Sequence, residues 1–299
     1  MAMVQERLAR TRSRLIDHIA RVDLRVGNVD RSLSFYRDVV GLEVVDREEQ
    51  RASLRAPGGP VFLTLDSTGV DTPLDKHSAG LFHNAILFPD RASLGDALAR
   101  LAATGIPVGA GDHAVSEALY VDDPDGNGVE LYRDRSEEEW PAPTEHMIVP
   151  MTTDPVDMRG VLEAGRGEDA VGKPAAEGTA MGHVHVQASD VEETTAFYAT
   201  GLGLDLIARM GDQAAFFSSN GYHHHIGANS WNSRGASPAT KNVPGLERVV
   251  FAVDDVDQLE AARSQLEGQG RTLHGERGQE LVVEDPNGIE LVFEVHRAL

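Results

Sequence analysis

The sequence predicts an α+β fold built from four β-α-β-β-β units, and two internal repeats carry that prediction. SLSFYRDVVGLEVV, around Phe35 and Tyr36, returns as TTAFYATGLGLDLI around Phe197 and Tyr198, at an offset of 162 residues. DPDGNGVELY, from Asp123 to Tyr132, returns as DPNGIELVF, from Asp285 to Phe293. Self-similarity at a fixed offset marks a duplicated structural unit.

The elements follow in order. Unit one spans 18–66: an alternating strand (ARVDLRV), a short helix carrying Phe35 and Tyr36, and strand-like runs LEVV, ASLRA and VFLTL. Unit two spans 80–135. Its strand FHNAILF leads to an amphipathic helix with Leu94, Leu98 and Leu101 on one face, a stop at Gly105, and strands AVSEALYV and VELYR. Unit three, 181–228, repeats the first. Unit four, 245–296, repeats the second, with Leu259, Ala262 and Leu266 as the buried helix face and Gly268 and Gly270 near its end. Phe35-Tyr36 and Phe197-Tyr198 read as core aromatics that anchor helix to sheet. Both DP-containing stretches are strong turn signals ahead of a final strand. Residues 136–180 hold five prolines and the run Glu137-Glu138-Glu139, and read as a linker between a first half, 18–135, and a second, 181–296.

Composition narrows the functional classes. A chain of 299 residues with 41% apolar content can bury a substantial core. A net charge of −21 argues against nucleic acid or an anionic membrane as partner, since both call for clustered Lys and Arg. With no cysteine, disulfides, thiolate metal sites and Cys nucleophiles are excluded. The N-terminal MAMVQERLARTRSRLI has no apolar run of the secretory kind behind it, and no stretch approaches the ~18 apolar residues of a membrane span. The expectation is a cytoplasmic protein. Exposed sheet edges in such repeats often pair, so a homo-oligomer is open.

With FY on the first helix and DPDGNG-x-E-L before the last strand, the four units resemble the vicinal oxygen chelate superfamily. Within it, GLFHNAIL, DHAVSEALYVDDPDGNGVELYRDR, MGHVHV and NGYHHHIG resemble the two-domain type I extradiol dioxygenases of the bacterial catechol-2,3-dioxygenase branch. The resemblance implies that pairs of units curl into two cup-shaped barrels, as in glyoxalases and extradiol dioxygenases. One cup would hold Fe(II) between two imidazoles and a carboxylate, leaving open positions for a diol and O2. Mn(II) accepts the same ligands.

The ligand positions that this family implies are unevenly filled. Odd units offer Arg21 or His183 at the first-strand position; even units offer His83 with Glu130, or Arg248 with Glu290. A buried Arg in place of a ligand would repel the cation. Neither sequential pair is complete, whereas units two and three together supply His83, Glu130 and His183. The expectation is that cups form from units two plus three and one plus four, with Arg21 and Arg248 as surface or inter-unit salt-bridge residues. The rival set, His183, His224 and Glu290, keeps sequential pairing but leaves Arg248 beside the metal. The family also implies roles for Tyr120, ten residues before Glu130, as a hydrogen-bonding tyrosine and for His224 as an acid/base; residue 280, ten before Glu290, is Glu. His113 falls near a further catalytic histidine of the family. Strand alternation puts His185 on the face of His183, lining the cup, and turns His224 away from His223 and His225. Trp231 follows that stretch and is placed to close over substrate.

The activity implied is ring cleavage of a catechol- or hydroquinone-type aromatic with O2. Three other readings stay open: a glyoxalase-like lyase or isomerase using Ni or Zn; a hydrolase or transferase of the fosfomycin-resistance kind, though such chains are typically shorter with a single pair of units; and a metal-free small-molecule-binding protein, which would have no use for His224 and Tyr120.

Overall fold

The computed structural model describes residues 2–296. After an N-terminal helix α1 (Ala2–Arg10), unit one is β1 (His18–Arg25), α2 (Val29–Phe35), β2 (Glu43–Arg47), β3 (Arg51–Arg55) and β4 (Val61–Asp66). Unit two is β5 (Gly80–Leu87), α3 (Arg91–Thr104), β6 (Gly109–Asp112), β7 (Ser116–Asp122) and β8 (Gly128–Asp134). A short helix α4 (Met158–Ala164) lies between the halves. Unit three is β9 (Ala180–Gln187), α5 (Val191–Thr195), β10 (Asp205–Met210), β11 (Ala214–Ser218) and β12 (Ile226–Asn229). Unit four is β13 (Gly245–Val253), α6 (Val256–Gly268), β14 (Leu273–His274), β15 (Glu280–Glu284) and β16 (Glu290–Val295).

The strands form two curled eight-stranded sheets, ordered β14-β15-β16-β13-β1-β4-β3-β2 and β10-β11-β12-β9-β5-β8-β7-β6. Units one and four therefore share one cup and units two and three the other, the crossed pairing expected from the His distribution. Each cup is sealed by antiparallel pairing of two first strands, β1 with β13 and β5 with β9. Alternate residues of these strands, such as Val22, Leu24, Val184 and Val186, are buried in one continuous apolar core. The other face is left to line the cups.

The repeated motifs tie sequential units to each other. Tyr36, fully buried, donates its hydroxyl to Asp123 Oδ2 at 3.2 Å, and Tyr198 does the same to Asp285 at 3.0 Å. Asp123 Oδ1 also accepts the backbone N–H groups of Asp125 and Asn127, each at 2.9 Å, and Oδ2 accepts the Asn127 side-chain amide at 3.1 Å. Burial pushes the Asp123 carboxyl up to about 6 despite these donors. Sheet pairing joins two to three and one to four, while the Tyr–Asp latches join one to two and three to four. The four units close into a ring of contacts. Arg100 of α3 strengthens the first latch by donating to the carbonyls of Val39 and Val40, at 2.9 and 2.8 Å, where the helix after Phe35 loosens into a π turn.

Three features depart from the sequence reading. The 136–180 segment is more than a spacer. Trp140 and Val149 are buried in a cluster with Val115 and Ile207, Asp154 bridges to Asp112 of β6, and α4 docks on α3 where Gly95 permits close approach. The edge strand β6, with sequence GAGD, has neither alternation nor β-branched residues to announce it. The histidine run 223–225 lies in the turn ahead of β12 rather than within a strand, so alternation does not decide where its rings point.

Candidate metal centre

The strand registers of the two-plus-three cup bring the chemistry-bearing residues together. His83 of β5 lies opposite His185 of β9, and Ala85, two residues on, lies opposite His183 and Glu130 on its two sides. Tyr120 of β7 is directly across from Glu130 of β8. Residues opposite each other, or two apart on one strand, share a face, so all five point into the cup. A bulge between Leu81 and His83 lets consecutive Phe82 and His83 both reach the cavity.

His83, Glu130 and His183 converge: one ligand atom from each lies within 4.8 Å of the others. Glu130 Oε2 is 2.9 Å from His83 Nε2 and 3.2 Å from His183 Nε2. The His83 nitrogen nevertheless has no hydrogen-bond partner and no access to water, a costly state for a buried nitrogen unless something else binds it. Burial would push the Glu130 carboxyl up, but the adjacent His183 and His83 rings hold it well below the usual range. Burial brings His183 down to about 4 against the pull of Glu130. An anionic carboxylate beside a neutral imidazole is the protonation state a divalent cation requires. The set fits a hard or borderline cation such as Fe(II) or Mn(II).

Above the cluster sits a cavity of about 330 Å³. His185, His224, Tyr120, His113 and Trp231 all line it. The His224 ring centroid is 4.1 Å from that of His183, and burial holds the His224 imidazole well below its ordinary value. His113 Nδ1 is 2.7 Å from the carbonyl of Thr152, which can only accept, so this nitrogen carries the proton. His113 Nε2 then accepts the Tyr120 hydroxyl at 2.7 Å. Burial raises the Tyr120 phenol, so it stays a donor. Trp231 is 49% exposed, at the rim rather than over the centre. Residues that the sequence reading passed over complete the walls: Phe82, Phe216, Met210, and Met147 and Met151 from the segment between the halves. No periodicity marks the last two.

The one-plus-four cup is built differently, and the structure corrects one equivalence. DPNGIEL is two residues shorter than DPDGNGVEL between Asp and Glu. Glu290 pairs in register with Arg248, the place that Gly128 takes opposite His83. The counterpart of the Tyr120–Glu130 pair is Val282–Val292. Glu290 is thus no structural equivalent of Glu130. It is bound to Arg248 in the other sheet, which removes it from the rival set with His183 and His224. Arg21 is paired with Asp23, and Arg248 also approaches Asp23 at 3.6 Å, so both arginines serve salt bridges as expected.

No described helix is long and apolar enough to cross a membrane. A family model described as the glyoxalase/bleomycin resistance protein/dioxygenase superfamily matches residues 15–131 and 180–293. Over 279 residues the chain is 40% identical to a catechol-2,3-dioxygenase of Bacillus subtilis (strain 168), covering 92% of this chain and 96% of that protein. Among solved structures it is similar to a candidate dioxygenase of Bacillus subtilis, with a TM-score of 0.61 at 13% identity over 96% of this chain and 87% of that one. Glyoxalase I from Zea mays gives a TM-score of 0.54 at 18% identity over 93% and 92% of the two chains. At those identities the structural likeness speaks to fold alone. The family match over most of the chain and the 40% identity together show that the chain belongs to the glyoxalase/bleomycin resistance protein/dioxygenase superfamily.

Proposed function

We propose that this chain is an extradiol dioxygenase, which opens the ring of a catechol-type diol with O2 at Fe(II) held by His83, His183 and Glu130. The observation that carries this reading is the convergence of those three side chains beneath a cavity flanked by His224 and Tyr120. The metal, when bound, would lower the pKa of the diol hydroxyls and hold diol and O2 side by side. His224, neutral at physiological pH, takes a hydroxyl proton from the diol. Tyr120, whose hydroxyl proton rests on His113 Nε2, turns that proton to an oxygen that gains negative charge as the ring opens. His185 and Trp231 pack against the ring, and the apolar walls keep bulk water from it.

The cavity lining also bears on the substrate. Its described residues include no Lys or Arg, and Met147, Met151, Met210 and Phe216 supply an apolar, adaptable wall. A neutral diol with an apolar substituent suits this wall, whereas a ring carboxylate would be desolvated without a counter-charge. The lyase or isomerase reading is less well supported, because among the described residues the metal-ligating cluster contains one carboxylate, Glu130.

Anaerobic Fe(II) loading followed by oxygen uptake with 4-methylcatechol and with 3,4-dihydroxybenzoate tests both points. The expected result is one O2 consumed per ring opened, with kcat/KM at least ~10-fold higher for the methyl compound, as an uncompensated buried charge would dictate. Stoichiometric metal without diol-dependent oxygen uptake would overturn the proposal.

A further inference from the structure

A buried chain of hydrogen bonds runs from His224 at the back of the cavity to the end of β8, and beyond His224 its groups have no part in the chemistry above. His224 Nδ1 lies 2.8 Å from His223 Nδ1, and His223 Nε2 lies 2.9 Å from Asp134 Oδ1. Asp134 Oδ2 accepts the Tyr222 hydroxyl at 2.9 Å, and Tyr132 stands 2.8 Å behind that hydroxyl. His223 and Tyr132 are fully buried, while the Asp134 side chain is 24% exposed. Two imidazoles that meet Nδ1 to Nδ1 need one donor and one acceptor, and by themselves they have no preference for either order.

We infer that Asp134 is a positioning residue that sets this order, and through His223 fixes which nitrogen of His224 faces the cavity as a free acceptor. A carboxylate only accepts, so His223 Nε2 carries a proton. With that one proton on the His223 ring, Nδ1 is its acceptor and the facing Nδ1 of His224 is the donor. His224 Nε2 is left with its lone pair, on a ring that lines the cavity. Tyr222 adds to the control, since its proton is committed to Oδ2 and leaves Oδ1 for His223. A wrong tautomer at His224 would offer an N–H to a diol hydroxyl instead of a base. Held in the wrong tautomer, a catalytic histidine loses orders of magnitude in rate with its geometry intact.

The inference about hydrogen-bond direction stands on the contact geometry with one proton on each ring; its consequence for rate rests on the dioxygenase reading, and the experiment separates the two. The full chain, labelled with 15N-histidine and loaded with diamagnetic Zn(II), would be compared with Asp134→Asn, Asp134→Glu and Tyr222→Phe by long-range 1H–15N spectra. The expected wild-type spectrum has His224 protonated at Nδ1 and bare at Nε2. In Asp134→Asn the amide oxygen serves Tyr222 and the NH2 donates to His223, so the order reverses and His224 becomes protonated at Nε2. Asp134→Glu restores an acceptor and the wild-type tautomer, and Tyr222→Phe keeps it. In the Fe(II) form, Asp134→Asn should lower kcat about 100-fold with KM and metal content unchanged, in the range of a lost general base. A wild-type His224 protonated at Nε2 would overturn the inference, whether or not any variant folds or any activity is found. So would an Asp134→Asn protein with unchanged tautomers.

Discussion

Removing one oxygen from the first latch, as Tyr36→Phe, tests how the four units are held together. The Tyr36 hydroxyl is one of four donors to a carboxylate that burial has pushed up to about 6. A hydrogen bond to a charged group contributes about 1.5–3 kcal/mol, and a neutral one about 1 kcal/mol. At pH 8 Asp123 is ionised and the substitution should cost about 2 kcal/mol; at pH 5 it is largely protonated and the cost should fall to about 1 kcal/mol or less. The sign follows from linkage: losing a donor to the anion raises the folded-state pKa further, and a raised carboxyl destabilises the fold above that pKa. Urea unfolding at the two pH values gives the answer through the midpoint, with an unchanged slope showing that the exposed surface is the same. Tyr198→Phe probes the second latch, and the double variant should sum the two losses within about 0.5 kcal/mol. A loss below ~0.5 kcal/mol at pH 8, or equal losses at both pH values, would refute the latch as a source of stability.

Other consequences can be checked in parallel. Burial pushes His225 down to about 3 and His183 to about 4, so each contributes stability above an unfolded value near 6.5 that is lost as pH falls. Between pH 7 and 5 each should cost the metal-free chain about 2 kcal/mol, and the lowered His185 and His224 add to that loss. With Asp123 returning about 1, urea titrations should show a net loss of at least about 3 kcal/mol; a flat profile would contradict these burials. Tyr120→Phe should keep its metal while kcat drops ~10- to 1000-fold, as for other lost oxyanion donors; unchanged kcat would remove Tyr120 from the reaction.

Much of the architecture was legible because the repeats encode it. The FY and DP motifs announce the four units, and their conjunction in the structure gives a reason: the Tyr of one unit is the proton donor of the next unit's Asp. The crossed pairing was readable once the family resemblance marked the ligand positions, since Arg21 and Arg248 occupy strand positions where His183 and His83 sit in the other cup. Glu290 misled because a motif match does not fix register; two missing residues slide the Glu along β16 by one full side-chain repeat and leave Val292 opposite Val282. Met147 and Met151 were hidden for a different reason. They belong to an irregular segment whose path over the cavity is set by long-range contacts, Trp140 with Val115 and Asp154 with Asp112. The Asp134–His223 link was equally invisible, because it joins residues 89 positions apart through a turn that has no periodicity.

Metal content decides whether a cation is held across units two and three. The chain, purified anaerobically and loaded with Fe(II), should bind one equivalent. His83→Ala and His183→Ala should each lose it, while Glu290→Gln, altered in the other sheet, should retain it in full. Full metal in His83→Ala, or loss of metal in Glu290→Gln, would contradict the crossed-unit site.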